Sequence, residues 1–177
     1  ALVYCNNRSI AEGRTPCYTI CDSRNPKDWG KIPKSRSWES WDDWVNAECD
    51  FSANGYRLPR HIEWEYAARG GNGLEGYQFQ YAGSDNLDEV AVWNTDVVSE
   101  IKTKKPNGLG IYDLNGNVEE WTFDRCKGKE NVLYAGGYYF YKQPDAFLLS
   151  RSYPSCMAIT LAARNSQIGL RVVCTAD

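Results

Sequence analysis

Turn residues cut this chain into short pieces, and no other feature limits its fold as strongly. Beyond Gly71 the aromatic and β-branched segments are Tyr77–Tyr81, Val90–Trp93, Leu109–Leu114, Val118–Phe123, Asn131–Tyr141 and Ile168–Cys174, separated by Gly- and Asn-rich turns. Glycine supplies positive φ without steric cost, and asparagine side chains bond their own backbone, so both end regular structure. The pattern predicts an α+β chain that is loop-rich, with few helices and short antiparallel strands.

One segment carries full helix punctuation. Pro59 precedes His61-Ile62-Glu63-Trp64-Glu65-Tyr66-Ala67-Ala68, Glu63 and Glu65 lie early where the helix dipole favours anions, Arg69 closes the run, and Gly70 can take the left-handed stop. Glu63 and Glu65 invite an acid–base reading. Residues two apart on a helix point away from each other, however, so dipole and solvent roles are expected instead. Ala1–Ile10 reads as the last turns of a helix closing near Glu12 and Gly13, its start missing. Thr15–Lys34 is rich in Pro, Asp, Asn and Gly and predicts a loop. Trp38, Trp41, Trp44 and Val45 recur at helical spacing, a short amphipathic helix. Lys102, Lys104 and Lys105 read as a solvated loop.

A chain of 177 residues fits one domain. Its 20 basic and 23 acidic residues give a net charge of −3, which removes the electrostatic attraction that dominates nucleic-acid affinity, so no nucleic-acid partner is expected. No apolar run approaches the roughly 20 residues of a membrane span, and Ala1–Cys5 lacks a signal pattern. Seven cysteines are an odd set, so one at least stays unpaired if the others form disulfides. His61 is the only histidine, and the Cys17-x3-Cys21 spacing has no second ligand pair, which argues against zinc. Partial disulfide pairing in an oxidising compartment and plain buried thiols both remain open.

The stretch from Tyr138 to Gln167 holds six aromatics, and its only charges are Lys142, Asp145, Arg151 and Arg164. A surface loop is normally more charged. The segment is therefore either core or an uncharged, Tyr- and Ser-rich face of the kind binding loops present.

Four ordered blocks carry a resemblance: Gly55-Tyr56-Arg57-Leu58-Pro59 with Glu63-Trp64-Glu65-Tyr66-Ala67-Ala68-Arg69-Gly70-Gly71; Asn107-Gly108-Leu109-Gly110-Ile111-Tyr112-Asp113-Leu114-Asn115-Gly116-Asn117-Val118-Glu119-Glu120-Trp121; Gly136-Gly137; and Ile168-Gly169-Leu170-Arg171-Val172-Val173. Together they resemble the formylglycine-generating enzyme (sulfatase-modifying factor) family. The resemblance implies a single C-type-lectin-like domain over 1–177. Its N-terminal strand is apparently missing, which leaves open how the C-terminal strand ending at Val173 is paired.

The family's enzymes use two cysteines, five residues apart, to bind copper and oxidise a substrate thiol. Tyr141 and Ala146 stand where those thiols should be, and neither supplies a soft copper(I) ligand. The resemblance thus implies no catalytic residues and no required cofactor. Part of the family resembles variable proteins, bacterial surface proteins diversified by retroelements, including those of treponemes. On that resemblance the candidate variable region is 132–173, and the candidate ligand-binding residues are Tyr138, Tyr139, Phe140, Tyr141, Phe147, Ser150, Ser152, Tyr153, Ser155, Asn165 and Ser166. The expected partner is a protein or cell-surface ligand, met outside the cell or at a bacterial surface.

Two metal readings accompany this one. The family's calcium turn maps to Asn115, Gly116, Val118 and Glu120, where the alternative is a buried hydrogen-bonded Glu120 in the core. Gln143-Pro144-Asp145 matches a tripeptide of calcium-dependent sugar-binding lectins. Its expected Trp-Asn-Asp partner is absent downstream, so the match is read as chance. The alternative functions are an enzyme of the same family with altered chemistry and a calcium-dependent lectin.

Overall fold

The computed structural model of the protein describes residues 1–71, 79–125, 132–142 and 165–175. Its elements are short, as the turn density requires. Helix α1 (Leu2–Ala11) ends at Glu12, and Gly13 turns the chain away with φ +69°. The expected loop contains strand β1 (Tyr18–Thr19) and a 3-10 turn, Pro26–Asp28, started by an Asn25 side chain that accepts the Lys27 N–H. The tryptophan-spaced run forms only about one turn, α2 (Trp41–Val45), burying Trp41 and Val45 and leaving Trp38 outside. Strand β2 (Glu48–Cys49) then pairs antiparallel with β1.

Helix α3 (His61–Ala68) forms where its punctuation placed it, and Gly70 leaves it with φ +80°. Its two early glutamates do more than face solvent. Glu63 accepts the Arg60 N–H at 2.7 Å and both ends of the Arg57 guanidinium, at 2.6 and 2.7 Å, while Glu65 pairs with Arg69 one turn on. Arg57 is 8% exposed, so the fork on Glu63 is what makes its burial tolerable.

Beyond Gly71 come α4 (Leu87–Val90), β3 (Ala91–Val92), β4 (Asn115–Gly116), β5 (Glu119–Arg125), β6 (Val132–Ala135) and β7 (Ile168–Gly169). Strand β5 is the centre of a three-stranded sheet, antiparallel to β6 and parallel to β7, and β3 pairs parallel with β4. The two parallel pairings add to the antiparallel ones the sequence predicts. The segment Leu109–Leu114 is irregular rather than a strand, because Asn107 organises it: its Oδ1 accepts the N–H groups of Leu109 and Ile111 and its Nδ2 donates to Ala67 O. The Val173 end, left without a partner in the sequence reading, bridges antiparallel to Arg57, each N–H donating to the other's carbonyl at 2.9 Å.

Among the described residues the core lies in three clusters. Trp64 and Ala68 of α3 pack on Ala82, Leu114 and Ala135, holding the helix against the sheet; Tyr81, Leu87, Val90 and Ala91 form a second; Cys5, Tyr18, Ile20 and Trp29 a third. Burying each large side chain stabilises the fold by about 2–3 kcal/mol. Cys5 and Cys17 are buried, Cys49 is half-buried and Cys21 and Cys174 are exposed, and all five are free thiols; Cys126 and Cys156 lie outside the described residues. Burial pushes the Cys5 thiol up to about 11 and the Cys49 thiol up to about 12, which suppresses their thiolates at neutral pH.

Candidate ligand-binding face

The face is assembled around the turn between β4 and β5. Gly116 has φ +71° and sits so close to β3 that a Cβ would lie 2.1 Å from Val92 O, so only glycine lets the two strands meet. Asn117 follows, buried and left-handed at φ +61°. It uses both its backbone and side-chain polar groups. Its N–H donates to Val92 O at 2.8 Å and its carbonyl accepts the Tyr139 N–H at 3.1 Å, while its side chain accepts from Ser99 N at 3.0 Å and donates to Ser99 O at 3.3 Å. One residue thereby ties the 94–101 loop, through its side chain, and the start of the tyrosine segment, through its carbonyl, to the sheet.

Strand alternation then sends Glu119 and Glu120 to opposite faces of β5. Glu120 points at α3, where Trp64 Nε1 donates to it at 2.7 Å and Arg171 donates through Nε at 2.9 Å and Nη2 at 2.7 Å. Arg171 Nη2 also donates to Tyr112 O at 2.8 Å. Glu119 points the other way, 2% exposed, and accepts the Tyr141 hydroxyl at 3.0 Å. Burial pushes its carboxyl up to about 7, against the pull of that single hydrogen bond.

Residues 138–141 form a compact aromatic group. The Tyr138 ring stands 4.4 Å from Tyr141 and 5.8 Å from Tyr139, centroid to centroid. Their backbone is held by main-chain bonds: Thr95 N–H to Tyr139 O at 3.0 Å, Asn94 N–H to Tyr141 O at 2.9 Å, and Tyr139 N–H to Asn117 O. Tyr138 and Tyr139 are half-buried and Phe140 is 45% exposed, under the Lys142 ammonium at 4.6 Å from its ring. Tyr141, also half-buried, points its ring inward onto the Tyr81 cluster. Burial and the adjacent Glu119 carboxylate push its hydroxyl well above the usual phenol range.

At the far end of the segment Asn165 and Ser166 are exposed, and Asn165 Oδ1 accepts the Gln167 N–H at 2.9 Å. Glu119 brings them near the tyrosines, since its own N–H donates to Gln167 O at 2.9 Å. Phe147, Ser150, Ser152, Tyr153 and Ser155 lie outside the described residues, as do Ala146 and the Gln143-Pro144-Asp145 tripeptide. The sequence reading missed a neighbour of the face, the 94–101 loop, whose Val97 and Ile101 are 69% and 72% exposed. The signal was available in Val97-Val98-Ser99-Glu100-Ile101, an apolar run too short and too isolated for a core element. Ile101 and Leu170 flank a groove of about 470 Å³ that also touches Val118, Tyr112 and Arg171.

The turn implied to hold calcium is arranged for other work. Both Glu120 oxygens accept from Trp64 or Arg171, and Asn115 Oδ1 accepts the Ala82 N–H at 3.0 Å while its Nδ2 donates to Ala82 O at 3.3 Å. A calcium ion needs six or more oxygens turned to one point. In this arrangement the Glu120 carboxylate, the one charged donor of the implied set, already has its neutralising charge in the Arg171 guanidinium. No cluster of three or more His, Cys, Asp or Glu suited to a metal occurs among the described residues.

The family described as sulfatase-modifying factor enzyme 1-like domain matches residues 1–176. The chain belongs to that family. It is similar to Treponema denticola variable protein 1, with a TM-score of 0.80 at 28% identity, covering 98% of this chain and 67% of that one. It is 37% identical over 144 residues to the chaperone protein LppX of Paenibacillus barcinonensis, covering 70% of this chain and 48% of the relative. It is 35% identical over 107 residues to the inactive C-alpha-formylglycine-generating enzyme 2 of Bos taurus, covering 53% of this chain and 34% of that protein. The match thus spans half or less of the length of these two curated relatives. The fold is the C-type-lectin-like one of this family, and the family includes variable and inactive members as well as enzymes.

Proposed function

We propose that the domain is a non-catalytic binding module, displayed at a bacterial surface, whose 132–173 region presents a diversified face to a protein or surface ligand. The observation that carries this reading is the way 138–141 is held: main-chain bonds at Tyr138, Tyr139 and Tyr141 fix the turn, on which Tyr138 and Tyr139 are half-buried and Phe140 is exposed. Half-open tyrosines on a rigid turn give large contact area at low entropic cost, which suits recognition. The likeness to a variable protein supports the reading, as does a relative whose name makes it a chaperone, a protein that works by contacting another. Tyr141, at the position of the oxidases' first thiol, has its hydroxyl on Glu119 and offers copper nothing.

The test has two arms. The protein is loaded with copper(I) and given a cysteine-containing sulfatase-type peptide under oxygen; no aldehyde is expected, and aldehyde at a turnover above a no-protein control removes the non-catalytic reading. In parallel, the protein and its Tyr139→Ser/Phe140→Ser variant are screened against an array of purified bacterial and host surface proteins. Spots that bind the parent and lose the variant are expected. Equal binding of both proteins on every spot removes the face.

A further inference from the structure

Both ends of the stretch 142–166 return to one residue of β5. At the near end the Tyr141 hydroxyl donates to Glu119 Oε1 at 3.0 Å, and at the far end the Glu119 N–H donates to Gln167 O at 2.9 Å, with Glu119 in register with Ile168. Among the described residues, Tyr141 is the only side chain hydrogen-bonded to the Glu119 carboxyl, which is 2% exposed with no cation beside it. A buried carboxyl with one donor depends on that donor, because losing it leaves the group with the whole cost of desolvation.

We propose that Glu119 and Tyr141 form a latch that joins the tyrosine turn at 138–141 to β7 through β5, with Tyr141 acting inward as a positioning residue and not as a ligand contact. The functional meaning rests on the binding-face reading above; the latch itself does not. Tyr139 and Tyr141 are two residues apart and chemically identical, yet their roles divide. Among the described residues the polar contacts of Tyr139 are made by its main chain, which any residue but proline leaves intact, whereas Tyr141 adds a side-chain bond, its hydroxyl on Glu119, to its main-chain ones. Serine or threonine at position 141 is too short to reach the same oxygen, and phenylalanine fills the space without the donor.

Amide hydrogen exchange on the whole chain tests this without any ligand. In Tyr141→Phe, exchange rises about tenfold or more at 138–142 and also at 166–169, two windows joined through Glu119, while α3 is unchanged. Tyr139→Phe stays within about twofold of the parent, and so does Glu119→Gln, whose amide oxygen still accepts the tyrosine hydroxyl. If Tyr141→Phe leaves 166–169 unchanged, or if Tyr139→Phe has the same effect, the latch is wrong. Should Tyr141→Phe fail to fold, the double variant Glu119→Leu/Tyr141→Phe decides. Removing both partners restores folding and protection if the stranded carboxyl was the cause, and a double variant that also fails to fold overturns the proposal. A parent that binds nothing on the array, with the exchange result as expected, removes the binding face and keeps the latch.

Discussion

Glu119 and Glu120 are neighbours in the chain and live in two different regions of the molecule. On the α3 side of β5, Glu120 meets an indole N–H and a two-pronged guanidinium, a closed polar network inside the core. On the tyrosine side, Glu119 meets one phenol and, among the described residues, no cation. The first region has charge balanced by charge and is built to hold α3, the sheet and the C-terminal strand in one place. The second leaves a carboxyl buried on a weak partner beneath an open aromatic surface. Charge balance is concentrated on one face of the strand, and the weakly compensated buried carboxyl lies on the other, beneath the face proposed for binding.

The strongest way to break this contrast is Arg171→Ala. It strands Glu120 in the core, and thermal or denaturant unfolding should show a loss of about 3–5 kcal/mol; Arg171→Lys recovers only part, since an ammonium cannot grip both oxygens. The other face should respond to pH. The Glu119 carboxyl is raised from 4.5 to about 7 in the fold, which corresponds to about 3 kcal/mol. Because the folded value is the higher one, this group's contribution is fully present below about pH 4.5 and is lost as pH rises through 7. Glu119→Gln, compared with the parent in denaturant melts from pH 4.5 to 8, should flatten that slope and be the more stable protein at pH 8. Phe140→Ser, at an open position, should move stability by less than about 0.5 kcal/mol. The smallest effect concerns the turn beside Glu120: millimolar calcium added to chelator-treated protein should shift Tm by on the order of 1 °C or less, and a rise of several degrees would mean that Arg171 gives way to the ion.

Local signals were legible wherever one residue decides a backbone state. Helix α3 came from Pro59, Arg69 and Gly70, and the end of α1 from Gly13. What stayed hidden depends on distant partners. Trp38 fits the helical spacing but α2 begins three residues later, and Leu109–Leu114 has strand composition that the Asn107 side chain overrides. The parallel pairing of β7 with β5 brings together residues about fifty positions apart, and no periodicity announces it. At the candidate site the aromatic composition of Tyr138–Tyr141 was plain, whereas its division into outward Phe140 and inward Tyr141 follows from Glu119 on another strand. Sequence reasoning had grouped Tyr141 with the contact residues for lack of that partner.

Main-chain groups of Tyr138, Tyr139 and Tyr141 help locate the turn at 138–141, and a main-chain amide is the same in every amino acid except proline. Mutational cost and positional accuracy are thereby decoupled. At Tyr139, whose polar contacts among the described residues are main-chain ones, and at the open Phe140, a new side chain other than proline leaves those bonds in place, so a change there needs no compensating one on the sheet.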